Sequence, residues 1–362
     1  MKPRIIALYL PQYHPIPEND EWWESGFTDW VNVKKAKPLF QGHLQPRVPQ
    51  NNNYYDLSQP CTLRWQASLA NKYGVYGFCF YHYWFAGGKT LLEKPAEILL
   101  ANKDIPLNYC FSWANEPWTR SWDGKKNKVL IPQEYGGKDD WCNHFEYLLP
   151  FFKDARYIKE DGCPMFIIYK SQSMPKADEM MNLWNTLAIQ NGFKGIHFVE
   201  TLRNGTIDSR ALPFKARMEF EPSRTNFQQP SYLLNYKRIR RTIIKMLNIT
   251  FGTSIMYNTA FSFKEVTERA INLKSPVGTY GGVFCGWDNT PRRGLASTIV
   301  LPPSKQEFKT YLQKVIDKTQ NVYKANYVFI NAWNEWAEGT YLEPDETNGL
   351  AYLEAIDEVI NS

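Results

Sequence analysis

Apolar runs of strand length alternate with stretches of helical pattern along the entire chain. Runs at 5–10, 75–80, 107–111, 165–169, 196–199, 216–220, 281–285 and 327–330 read as buried strands, with a further short apolar run at 254–257. Helical pattern covers about 62–72, 91–101, 139–152, 176–190, 263–273, 305–319 and 350–360. Alternation of this kind needs crossover connections and therefore a parallel sheet. About eight strand–helix units predict an α/β fold, a single (β/α)8 TIM-type barrel with long active-site loops. Residues 1–362 are expected to form one domain, with an insertion near 222–250. No G-x-G-x-x-G follows a strand and no P-loop occurs, so a dinucleotide or nucleotide-triphosphate fold has no motif behind it.

Polar residues gather where the strands end. His14, His82, Asn115, Glu116, Asp288, Asn289, Asn334 and Glu335 each follow a strand closely, and a barrel brings such ends to one face. The segment 11–60, carrying Trp22, Trp23, Phe27, Trp30, His43 and Arg47, is too long for a plain connection and reads as a functional loop. After the last strand, aromatics and carboxylates replace the apolar run at once. Glu335 and Glu338 lie three apart, with Trp333 and Trp336 around them. Sugar hydrolysis needs one acid that holds a proton and one that is charged. An apolar Trp wall raises a carboxyl pKa, and neighbouring carboxylates push their pKa values apart. The alternative is a helix start with two solvated first-turn acids. The chain has 13 Trp, more than core filling needs, and aromatic faces suit the apolar faces of sugar rings.

Other chemistries lack support. The net charge of +5 is mild, and no basic stripe calls for nucleic acid. Six Cys contain no C-x-x-C pair, and Cys79, Cys110 and Cys285 sit inside apolar runs. They read as buried thiols of a reducing, cytoplasmic compartment. The apolar stretch 5–10 is too short for a signal h-region, and no run approaches the ~20 residues of a membrane span. No spacing points to a metal ligand set or to a G-x-S-x-G elbow, so neither metal nor cofactor is expected. The segment 232–249 mixes Leu, Ile and Met with Lys and Arg. It fits a surface helix in a barrel insertion, or a basic amphipathic helix in weak contact with a membrane surface or lipid-linked glycan.

Several stretches carry a family resemblance. Tyr9-Leu10-Pro11-Gln12-Tyr13-His14, Gly26-Phe27-Thr28-Asp29-Trp30, Gly77 to Phe85, Trp113-Ala114-Asn115-Glu116-Pro117-Trp118-Thr119-Arg120, Gly286 to Arg293 and Trp333-Asn334-Glu335-Trp336-Ala337-Glu338-Gly339-Thr340 resemble the WbsX-type proteins of bacterial surface-polysaccharide gene clusters. Those proteins were first described as glycosyltransferases. The family is similar to glycoside hydrolase family 99, (β/α)8-barrel endo-acting α-mannoside hydrolases. In family 99 an N-E-W-x-E-G-T segment carries the catalytic carboxylates, and residues 334–340 fit it position by position. The resemblance implies Glu338 as general acid/base at the glycosidic oxygen and Glu335 as base toward the sugar 2-hydroxyl. Configuration would be retained through a 1,2-anhydro sugar. The α-mannoside specificity is not carried over.

Candidate substrate contacts are His14, Tyr81, His82, Trp84, Trp113, Asn115, Glu116, Trp287, Asp288, Asn289, Trp333 and Asn334. Each has a plainer role. Glu116 could pair with Arg120, Asp288 could form an Asx-type turn into Pro291, and the histidines could be satisfied at the barrel mouth. Three functions follow: a retaining, endo-acting hydrolase of an α-linked bacterial polysaccharide or oligosaccharide, a glycosyltransferase of O-antigen or capsule synthesis, or a non-catalytic glycan binder. A metal-dependent nucleotide-sugar transferase usually carries a D-x-D motif, which is missing here. The intact carboxylate pair counts against a mere binder.

Overall fold

A computed structural model of the chain describes residues 2–119, 129–203, 207–228, 232–252 and 260–361. Eight parallel strands close on themselves: β1 (Arg4–Tyr9), β2 (Val75–Phe85), β3 (Asn108–Trp113), β4 (Cys163–Ile168), β5 (His197–Leu202), β6 (Ala216–Glu219), β7 (Thr279–Phe284) and β8 (Tyr327–Asn331). Each pairs with its neighbour in sequence, and β1 pairs with both β2 and β8. The fold is a (β/α)8 barrel. The apolar run at 254–257 lies outside the described residues.

Helices α1 (Pro60–Lys72), α2 (Lys94–Ala101), α3 (Lys138–Lys153), α4 (Ala177–Gln190), α5 (Tyr232–Phe251), α6 (Phe263–Asn272), α7 (Lys305–Lys318) and α8 (Ala351–Ile360) accompany the strands. No described helix stands between β5 and β6, and both α5 and α6 fall between β6 and β7. Local sequence sets the helix ends. Pro opens α1, and at α7 the Ser304 hydroxyl accepts from the Glu307 amide while Glu307 accepts from the Ser304 amide. In α7, Phe308, Tyr311, Leu312, Val315 and Ile316 are buried at the spacing of one helical face. Close backbone packing demands glycine on two barrel strands: a Cβ on Gly282 would stand 2.1 Å from the Glu219 carbonyl oxygen, and one on Gly77 2.4 Å from that of Asn108. No described helix is long and apolar enough to cross a membrane.

Strand β2 runs to Phe85, five residues past the expected end. Tyr81, His82, Tyr83 and Trp84 are therefore strand residues, and successive side chains face opposite sides.

Candidate active site

A cavity of about 730 Å³ opens at the carboxyl ends of the strands. Leu10 after β1, Tyr81 and Tyr83 on β2, Glu116 after β3, Tyr169 after β4, Arg203 after β5, Phe220 after β6, Trp287 after β7 and Glu335 and Glu338 after β8 all line it. Every stave of the barrel contributes, so the expected meeting of the first, second, third, seventh and eighth strand ends occurs in this one cavity.

Glu335 and Glu338 share a single cation. The Arg292 guanidinium donates from Nη1 to Glu338 Oε1 at 2.6 Å, and from Nη2 to Asp29 Oδ2 at 2.6 Å and Glu335 Oε2 at 3.3 Å. Its own pKa rises well above the ordinary value: burial pulls it down, but the surrounding carboxylates outweigh that. Burial raises the pKa of Glu335, Glu338 raises it further, and Arg292 opposes both. Glu338 is also raised by burial, with Arg292 opposing most strongly. The Glu338 side chain is 25% exposed and that of Glu335 only 7%. The shorter Arg292 bond is the one to Glu338.

The segment that carries the two glutamates is tied down from behind. Trp333 Nε1, Trp336 Nε1, Gln66 Nε2 and the Tyr55 hydroxyl all donate to the Glu343 carboxylate, at 2.7 to 2.9 Å. Burial pushes Glu343 up to about 7 against those bonds. Asn334 accepts from the Leu10 amide at 2.8 Å and donates to the Leu10 carbonyl at 3.0 Å, clamping this segment to the end of β1. The Tyr13 hydroxyl donates to the Asn334 carbonyl at 2.7 Å and accepts from the Trp336 amide at 3.2 Å. Gly339 follows Glu338 with φ +63°, and a Cβ there would meet Asp288 Cβ at 2.8 Å. Asp288 is held in turn by Gln45 Nε2 and His43 Nε2, each at 2.7 Å. His43 Nδ1 accepts from the Leu39 amide at 3.0 Å, which leaves Nε2 as the donor. Burial works against the Asp288 anion, but these bonds, one from Thr290 and the Arg47 charge leave its pKa lowered.

The predicted contacts thus divide. Tyr81, Glu116, Trp287 and Asn289 line the cavity with the two glutamates. His82 and Trp84 do not: strand alternation turns them outward onto α3, where His82 meets His144 Nε2 at 2.8 Å and Trp84 stacks on the same ring at 4.4 Å. Trp113 is core, donating to the Trp84 carbonyl. Asn115 bridges to the Lys170 backbone, accepting at 2.8 Å and donating at 2.9 Å. His14, Asp288, Trp333 and Asn334 are buried away from the cavity wall. Asp288 forms the Asx-type turn, accepting from the Thr290 amide at 3.0 Å. Glu116 accepts from Arg203 at 2.8 Å and Lys170 at 3.2 Å; its suggested partner Arg120 lies outside the described residues.

Sequence reasoning missed Gln12, Tyr83, Tyr169, Arg203, Arg292 and Asp29. Tyr169 directly follows a strand, and Arg292 and Asp29 stood inside the quoted motifs, so signals existed. Among the described residues no group of three or more His, Cys, Asp or Glu could hold a metal ion.

The sequence profile of a family described as "Glycosyltransferase WbsX" matches residues 5–356. The uncharacterized protein WxcX of Xanthomonas campestris pv. campestris (strain B100) is 38% identical over 354 residues, covering 97% of this chain and 48% of that protein. WxcX of strain ATCC 33913 is 37% identical over 353 residues, again covering 97% and 48%. The chain spans about half the length of these curated relatives. The fold is similar to that of the GH99 endo-α-mannosidase from Bacteroides thetaiotaomicron in complex with Bis-Tris propane, with TM-score 0.56 and 13% identity, covering 99% of this chain and 96% of that one. A glycoside hydrolase-like protein has TM-score 0.53 and 14% identity, with 99% and 94% covered. At such identities the likeness speaks for the fold alone.

Proposed function

This chain belongs to the WbsX family, and from that premise we propose that it is a retaining, endo-acting glycoside hydrolase of an α-linked bacterial surface polysaccharide or oligosaccharide. The observation that carries the reading is the carboxylate pair, Glu335 and Glu338, gripped by one buried guanidinium in an aromatic-walled cavity at the barrel mouth. One guanidinium contacts both carboxyls, so the two acids act on the same space.

In this reading Glu338 gives its proton to the glycosidic oxygen as the bond from that oxygen to C1 breaks. The sugar 2-oxygen attacks C1 while Glu335 takes its proton, forming a 1,2-anhydro sugar. Water then opens the ring at C1, losing a proton to Glu338, and Glu335 returns its proton to the 2-oxygen. This sequence of steps starts with the proton on Glu338 and with Glu335 charged. Gln12 lines the cavity, and its buried amide Nε2 has no hydrogen-bond partner there.

The test uses Glu→Gln variants on oligosaccharides from the gene neighbourhood. Glu338→Gln should lower turnover by a factor on the order of 10²–10⁴ and be partly rescued by an aryl or fluoride glycoside, which needs less acid help. Glu335→Gln should fail on both substrate types. Rescue of Glu335→Gln instead would exchange the two roles, and full activity of both variants would remove the site. A covalent sugar on Glu335 would replace the anhydro route with direct displacement. The transferase reading draws on the family's description; chain extension from a nucleotide sugar, with no shortening, would favour it.

A further inference from the structure

Helix α5 turns apolar side chains away from the protein. Ile244 packs on the small apolar cluster of Leu39 and Ile299, and Asn248, one turn on, is 2% exposed; these two mark the face laid on the barrel. Ile239, Ile243, Met246 and Leu247 are 61%, 53%, 65% and 50% exposed. Their spacing of four, seven and eight residues from the first puts them on one stripe, turned well away from the Ile244–Asn248 face. An ordinary surface helix shows the reverse, with its apolar stripe inward.

The charge of this segment of the sequence is one-sided. Between Glu221 and Glu265 the sequence has seven Lys or Arg and no Asp or Glu, and Lys237, Arg238, Arg240, Arg241 and Lys245 fall within α5. A second copy of this chain on the same stripe would bring together two segments of the same positive sign. A bilayer with anionic headgroups satisfies both features, burying the stripe and attracting the positive charge of the segment. We propose that α5 docks the protein on an anionic membrane surface. Ile299 follows Arg292 and Arg293 on the β7 side of the cavity, so docking would hold that rim of the site near the headgroups. This goes beyond the hydrolase reading and does not depend on it, because the stripe lies outside the cavity.

Co-sedimentation with phosphatidylcholine vesicles, with and without phosphatidylglycerol, tests it on the full chain. The protein should pellet with the anionic vesicles, stay free with the neutral ones, and lose binding severalfold as salt screens the headgroups. Ile243→Glu combined with Met246→Glu should lower partitioning by at least about tenfold, with the melting curve unchanged because both side chains are exposed. As a second readout that leaves the helix intact, the emission that Ile243→Trp adds over the unsubstituted protein should shift to the blue on anionic vesicles only. Equal binding to both vesicle types, binding indifferent to the double substitution, or an unshifted Trp would overturn the proposal. So would lipid-free self-association abolished by the same substitutions, which would assign the stripe to a second copy.

Discussion

Glu335 is 6% exposed and shares Arg292 with two other carboxylates. Burial, then Glu338, raise its pKa in the folded chain. A raised carboxyl gives its full stability below the unfolded pKa and loses it as pH climbs toward the folded one. At neutral pH Glu335 therefore weakens the fold. Glu335→Gln should raise unfolding stability at pH 7 by on the order of 1–2 kcal/mol while abolishing turnover, a gain that fades below about pH 4; melting temperature against pH reads it. Arg292 supplies the opposing charge, holding both carboxyls below where burial would leave them. Arg292→Met should raise both pKa values. Under the hydrolase reading turnover needs one carboxylate anion, so the acid limb of the rate profile should move to higher pH, and Arg292→Lys should recover part of the shift. The sequence showed Arg292 and Asp29 inside motifs but gave them no role. Their ion pair joins residues 263 apart, and nothing local marks a contact of that span.

The element that carries the two glutamates depends on a residue beyond it. Glu343 receives four donors, from Tyr55, Gln66, Trp333 and Trp336, and so fixes both tryptophans that frame Glu335. Glu343→Leu would leave four buried donors without an acceptor. Loss of stability by about 3–5 kcal/mol is expected, visible in chemical denaturation. Glu343→Gln keeps an acceptor and should fold, with the turnover defect exceeding the stability defect. Gly339→Ala would force a Cβ at positive φ to within 2.8 Å of Asp288 Cβ, so it should shift the Glu338 turn and cut activity. At this scale the sequence was legible in part. Strand and helix positions followed from apolar periodicity, but β2 was ended at Phe80. That error mattered, because only strand continuation reveals that Tyr81 and Tyr83 face the cavity while His82 and Trp84 face α3.

Alternating strands and helices made the closed barrel legible, and barrel closure by itself gathered the strand ends. Which of the gathered side chains point inward was less legible, since polar residues at strand ends serve equally as clamps. Asn115, Asn334 and Asp288 spend their hydrogen bonds on backbone or on other loops, holding the rim in shape. What remains inside is a wide space. Tyr169 follows β4 and Glu335 follows β8, staves on opposite sides of an eight-stranded ring, and both line one cavity of about 730 Å³. A space of that size lies toward the large end of ligand pockets, roughly 300–1,000 Å³, and exceeds what one sugar ring fills. Binding energy from rings remote from the cleaved bond can then be used to orient the reacting one. Under the hydrolase reading, kcat/KM should therefore climb with oligosaccharide length until the cavity is spanned, then level off. On polymer, mean chain length should collapse early, before much monosaccharide appears. Size-exclusion profiles taken over a digestion decide it: stepwise release of single sugars from one end, with the polymer peak holding its position, would mean exo-action and would overturn the endo assignment while leaving the carboxylate pair in place.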